Sequence, residues 1–224
     1  NVHLIHGITG SGKTEVYMDL IDYTIKKGKS VIVLIPEIAL TYQTVMRFTR
    51  RFKEKVSIIN SRLSSGERYD QFERAKNGDV TIMIGPRSAL FTPFSNLGLI
   101  VIDEEHESAY KSESVPKYHA IEVAQKRAYD TGATVVLGSA TPSLESYYKA
   151  KNGTYILHKL TTREKGNLPS VSIVDLREEL QQGNKSIFSN KLQTLINDRL
   201  EKKEQTMLFL NRRGFAGFLS CRNC

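Results

Sequence analysis

Three clusters of residues in this chain could do chemistry together. The first is Gly7-Ile8-Thr9-Gly10-Ser11-Gly12-Lys13-Thr14, which meets the pattern G-x-x-x-x-G-K-[ST] at every fixed position. Glycines at 7, 10 and 12 let a backbone turn tightly and bring its N–H groups against phosphate oxygens. A helix opening near Lys13 would aim its positive dipole end at the same phosphates. Lys13 would reach the β- and γ-phosphates and Thr14 would ligate Mg²⁺, with Thr9 and Ser11 as further loop contacts. The second cluster is Asp103-Glu104-Glu105-His106, delivered by the apolar run Leu99-Ile100-Val101-Ile102. Asp103 is placed to hold Mg²⁺, through water and together with Thr14. Glu104 would orient and deprotonate an attacking water, and His106 could sense the γ-phosphate. The third cluster is Ser139-Ala140-Thr141, whose small hydroxyl residues could couple the acidic motif to a neighbouring segment. By itself, Gly138-Ser139-Ala140-Thr141-Pro142 reads equally well as a helix N-terminus with a Thr141 cap.

These clusters need elements to position them. A strand over 2–6 leads to the glycine loop, and a helix follows over about 13–27, with Val16, Leu20, Ile21 and Ile25 on one side. Ser30–Ile35 is a continuous apolar run, as expected of a strand buried on both faces, and Pro36 ends it. A helix is predicted over about 38–54 and a short strand over 56–59. Ser64 and Glu67 form a capping-box pattern ahead of a helix through about Lys76. Strands are expected at about 80–84, 98–102 and 133–137, and helices at about 117–131 and from Pro142 to about Ala150. The alternation argues an α/β fold, a mostly parallel sheet with helices on both faces. Ligands in such sheets bind beyond the carboxyl ends of the strands. The glycine loop, Pro36-Glu37, Asp103-Glu104 and Ser139-Ala140-Thr141 all follow predicted strands, so they should converge on one edge.

The expected organisation is a first lobe over 1–150, its end and a connector over 151–187, and the start of an incomplete second lobe over 188–224. Short strands are predicted at about 154–158 and 171–175, a helix at about 189–203 and a strand at about 205–210. The net charge of +8, from 32 Lys+Arg against 24 Asp+Glu, points toward a polyanion such as nucleic acid. No apolar run approaches the roughly 20 residues of a membrane span, and no secretory signal is read at the N-terminus. The two cysteines, Cys221 and Cys224, do not suggest a disulfide scaffold, so a reducing cytosol is the simplest expectation.

In this order and spacing, the three clusters resemble a superfamily 2 helicase motor, a P-loop NTPase of RecA-like fold. The flanking text narrows the resemblance to the PriA family of replication-restart helicases. It is carried by residues 7–17, 34–41, 87–91, 103–108, 138–146 and 208–215, which run nearly end to end. The resemblance implies a bacterial, ATP-dependent 3′-to-5′ DNA helicase using ATP and Mg²⁺. Its DNA partners would be forks, D-loops and single strands. Its protein partners would be primosome proteins and single-strand-binding protein, in a cytoplasmic, nucleoid-associated setting without a membrane. It also implies that Pro36, Glu37, Arg87 and Ser88 lie in segments contacting the DNA backbone.

Three segments depart from the family pattern. Asn60-Ser61 stands for His-Ser, Pro86 for a small residue, and Lys117-Tyr118-His119-Ala120-Ile121-Glu122 for Arg-Tyr-His-Ala-Arg-Asp. Cys221 and Cys224 resemble the first pair of a cysteine-rich zinc insertion, a half-site offering two of about four ligands. Zn²⁺ is therefore expected in a full-length protein. The chain reads as an excised piece that binds Mg-ATP but turns it over slowly, since related motors take a catalytic arginine from the second lobe. Arg212 and Arg213 are not expected to replace it. The alternatives are another superfamily 2 DNA translocase, or a nucleotide-gated binding module without significant turnover.

Overall fold

Runs rich in Val and Ile become the centre of a sheet because both of their faces can be buried. The computed structural model describes residues 1–163 and 169–209. Its strands are β1 (Val2–Gly7), β2 (Ser30–Leu34), β3 (Val56–Ile58), β4 (Ile82–Gly85), β5 (Leu97–Asp103), β6 (Thr134–Ser139) and β7 (Ile156–Leu160). They form one seven-stranded sheet in the order β3-β4-β2-β5-β6-β1-β7. Every pairing is parallel. Five helices accompany it: α1 (Lys13–Lys26), α2 (Tyr42–Phe52), α3 (Ser65–Asn77), α4 (Ala120–Thr131) and α5 (Leu144–Lys151).

The two-residue period of each strand splits the core into two layers. Leu4, Ile32, Leu34, Ile100, Ile102, Val135 and Leu137 face α3, α4 and α5, meeting Ala75, Ala124 and Ala150. Ile5, Val31, Val33, Leu99, Val101 and Val136 face α1 and α2, meeting Tyr17, Ile21, Phe48 and Phe52. Helices therefore cover both faces, as the alternation predicts. Each fully buried Ile, Leu or Val contributes roughly 1.5–3 kcal/mol of apolar burial.

Several element boundaries differ from the sequence reading. The helix expected from 38 is a 3-10 turn at Glu37–Ala39, and α2 begins only at Tyr42. The Thr41 side chain accepts from the Thr44 N–H and so sets that start, while left-handed Lys53 (φ 51°) ends the helix. α1 buries Tyr17, Met18 and Ile21, whereas Val16, Leu20 and Ile25 are only partly covered. α5 is capped by Ser143, whose hydroxyl accepts from the Ser146 N–H, so neither Thr141 nor Pro142 lies in its first turn. The capping box at Ser64 and Glu67 forms as read, in both directions.

The chain divides into two compact units between Asn167 and Leu168. The described part of the second unit holds α6 (Leu176–Gln181), which sequence reasoning missed, and α7 (Asn190–Glu201). The strand expected at 171–175 does not form: Val171 and Ile173 alternate, but both are exposed and no strand partners them among the described residues. Residues 205–209 likewise carry no strand. Arg212, Arg213, Cys221 and Cys224 lie outside the described residues. Among the described residues, no helix is long and apolar enough to cross a membrane.

Candidate nucleotide-binding site

β1 ends at Gly7 and hands the chain to a loop that returns as α1. Gly10 (φ 79°) and Gly12 (φ 85°) both hold left-handed backbone, which other residues adopt at a cost. Gly12 caps α1 without any side-chain bond, so the first N–H groups of the helix stay available to a ligand. Lys13 Nζ donates to the Gly7 carbonyl at 2.8 Å, which fixes the ammonium at the mouth of the loop. The Ser11 hydroxyl is buried without a hydrogen-bond partner. Buried polar atoms are nearly always paired, so this oxygen is suited to a ligand's oxygen.

A cavity of about 300 Å³ opens over this loop. Thr9, Gly10, Ser11, Gly12, Lys13, Thr14, Asp103 and Glu104 line it, so residues some 90 positions apart meet there as the motifs require. Glu15 and Arg47 complete the lining, and Arg47 donates to Glu15 Oε1 at 2.6 Å. The sequence alone did not single out Arg47. Its position beside the glycine loop comes from α2 lying against α1, as the Arg47–Glu15 and Arg51–Asp19 pairs show, and no local pattern announces that. The donor set suits a nucleotide triphosphate with Mg²⁺: a lysine, helix N–H groups, an orphaned hydroxyl, Thr14 and two carboxylates.

The acids sit at the end of β5. Burial raises the Asp103 pKa, and so does the Glu104 carboxylate beside it. A hydrogen bond from Tyr17, the Glu104 N–H and the Lys13 charge pull it back. Tyr17 donates to Asp103 Oδ1 at 3.1 Å. The Tyr110 hydroxyl donates to the main-chain oxygens of Asp103 at 2.6 Å and Leu34 at 3.1 Å. Glu104 holds a left-handed backbone (φ 46°), a conformation that non-glycine residues keep only where surrounding structure enforces it.

His106 and Ser139 meet directly: His106 Nδ1 lies 2.7 Å from Ser139 Oγ, which also accepts from the Thr141 N–H at 2.9 Å. The acidic motif and Ser139-Ala140-Thr141 are thus physically linked. Glu105 makes a second link that the sequence reading overlooked. It is only 2% exposed, and it accepts from Ser143 N–H (2.7 Å), Ser143 Oγ (3.0 Å) and Ser146 Oγ (2.8 Å). Its own N–H donates to the Gly138 carbonyl at 3.0 Å.

Pro36, Glu37, Arg87 and Ser88 do not line the glycine-loop cavity. They converge on a separate groove of about 280 Å³ together with Asn60, Ser61, Arg68, Ala109 and Tyr110. Glu37 accepts from the Ser61 N–H at 2.9 Å, and this hydrogen bonding lowers its pKa. Arg87 Nη1 donates to the carbonyls of Ala109 (2.9 Å) and Lys111 (2.8 Å), so this amino group braces the groove wall. No group of three or more His, Cys, Asp or Glu suited to a metal occurs among the described residues.

The model of the DEAD/DEAH box helicase family matches residues 2–150, which takes in the loop, the acids and Ser139-Ala140-Thr141. The chain belongs to the DEAD/DEAH box helicase family. Along its whole length this helicase-family chain is 52% identical to the replication restart protein PriA of Bacillus subtilis (strain 168), covering 28% of that protein. It is 50% identical to the replication restart protein PriA of Synechocystis over 99% of the chain and 27% of the relative. It therefore spans under a third of the length of these relatives. The Pyrococcus furiosus Hef helicase domain superposes on 74% of the chain and 35% of its own, with a TM-score of 0.53 at 22% identity. That likeness concerns the fold, which is RecA-like.

Proposed function

We propose that this chain is the ATP-binding motor lobe of a DNA helicase of the PriA type, acting in replication restart with 3′-to-5′ polarity. One observation carries the reading: Lys13, Thr14, Asp103 and Glu104 surround a single cavity, and His106 Nδ1 lies 3.7 Å from Glu104 Oε2 and 2.7 Å from Ser139 Oγ. The similarity to PriA proteins along all 224 residues supports the DNA-restart part of it.

In this reading the loop N–H groups, Ser11 and Lys13 hold the phosphates, and Thr14 and Asp103 hold Mg²⁺. Bound Mg²⁺ neutralises charge on the phosphoryl oxygens. Glu104 takes the proton of the attacking water. His106 passes the state of the site to Ser139 and Thr141 through hydrogen bonds that are already formed. The groove bordered by Pro36, Glu37, Arg87 and Ser88 receives the DNA backbone. Forks, D-loops and single-stranded DNA are the proposed substrates, and primosome proteins and single-strand-binding protein the proposed partners, in a bacterial cytoplasm. Cys221 and Cys224 would belong to a Zn²⁺ site needing further ligands.

The test is phosphate release by this chain in Mg-ATP, with and without forked DNA, beside nucleotide affinity. Motors of this kind take an arginine from the second lobe, which is worth roughly 10³–10⁵ in rate. The expected result is therefore tight nucleotide binding with slow turnover. Fast, DNA-stimulated turnover by the chain alone would contradict the dependence on a second lobe. Absence of nucleotide binding would contradict the whole reading.

A further inference from the structure

Tyr17 lies one turn beyond Lys13 on α1, and its side chain is 1% exposed. Its hydroxyl donates to Asp103 Oδ1 at 3.1 Å. The same hydroxyl rests against the backbone of Gly138, where an added Cβ would come within 1.6 Å of it. A single phenol thus touches three things: the helix that follows the glycine loop, the acid at the end of β5, and the strand leading to Ser139-Ala140-Thr141. At a position needing only apolar bulk, Phe would avoid the cost of burying a hydroxyl. Tyr17 does bury one, and its partner is the carboxylate assigned to the metal.

A carboxylate held through one oxygen presents the other in a fixed direction, and partners outside the ligand shell commonly orient metal ligands in this way. We propose that Tyr17 is a positioning residue: its hydroxyl fixes Asp103 for Mg²⁺, and Gly138 is glycine because the phenol occupies the space of a side chain. The inference rests on the reading of Asp103 as the Mg²⁺ acid. It predicts a change in metal dependence and not in nucleotide recognition as such, since Tyr17 does not line the glycine-loop cavity.

The experiment titrates Mg²⁺ into the chain with a fluorescent ADP analogue, following nucleotide binding and thermal unfolding for wild type, Tyr17→Phe and Tyr155→Phe. Phe fills the same volume at both positions. Tyr155 is the internal control, because its buried hydroxyl accepts from Gln125 and it lines neither the glycine-loop cavity nor the groove. The expected result for Tyr17→Phe is a Mg²⁺ midpoint raised about tenfold or more, the usual penalty for losing such an outer partner. Its nucleotide affinity in chelator should stay unchanged, and so should the Tyr155→Phe midpoint. A wild-type midpoint in Tyr17→Phe would overturn the inference while leaving Asp103 as the metal acid. Equal shifts in both variants would overturn it too, by showing general loosening. Wild-type binding that ignores Mg²⁺ would overturn the inference and the Asp103 reading together.

Discussion

Glu104 is one of three non-glycine residues with positive φ among the described residues, and it holds its φ of 46° at a side chain that lines the glycine-loop cavity. Such a backbone costs on the order of 1–3 kcal/mol and is kept where it aims a functional group. Replacing Glu104 by Gln keeps the shape and removes the base. The expected outcome is unchanged Mg-nucleotide affinity with hydrolysis lowered at least about 100-fold, read by single-turnover phosphate release. Glu37 offers a test by pH. Hydrogen bonds from Ser61 lower its pKa below the ordinary 4.5, so the folded chain holds the ionised form more firmly than the unfolded chain does. Its contribution is present above pH 4.5 and is lost as pH falls through the lower folded value. Urea unfolding of Glu37→Gln should therefore lose less stability on acidification than wild type does. An equal loss would show that the Ser61 bonds do not bear on stability.

α5 is held to the end of β5 by one buried carboxylate, Glu105, with three donors from Ser143 and Ser146. Removing it strands those donors, at roughly 1–3 kcal/mol for each one left buried and unpaired. Glu105→Ala should lower the melting temperature by several degrees, at about 2–4 °C per kcal/mol for a chain of this size. Glu105→Gln should lose less, since its amide oxygen still accepts. The same element shows where sequence reading succeeds and where it stops. The central strands were legible because Val31–Leu34, Leu99–Ile102 and Val135–Leu137 are apolar on both faces. The glycine loop and the acids were legible because each is contiguous. Tyr17, Arg47 and Glu105 were not, because their roles arise from partners 86, 32 and 38 residues away in sequence. Val171 and Ile173 misled in the opposite sense: alternation marks a strand only where a neighbouring strand accepts its hydrogen bonds.

The molecule as a whole carries a charge of +8, and both the glycine-loop cavity and the groove lie on the strand-end edge of the first unit's sheet. Tyr110 spans them, lining the groove while its hydroxyl holds the Asp103 main chain. If the groove receives DNA backbone, affinity for single-stranded DNA must fall as salt rises, with a log–log slope of about −0.7 per phosphate contact. Arg68→Ala should flatten that slope by roughly one contact, measured by fluorescence anisotropy across salt concentrations. A slope near zero in wild type would remove the electrostatic footprint on which the DNA assignment depends. The most direct test of the central claim is equilibrium binding of a fluorescent ATP analogue in Mg²⁺ to wild type and Lys13→Ala. The claim predicts saturable binding by wild type and a loss of at least about tenfold in the variant, whose fold is unchanged by thermal unfolding. Equal affinity of the two chains would mean that the glycine loop does not hold the nucleotide, and the motor assignment would fall with it.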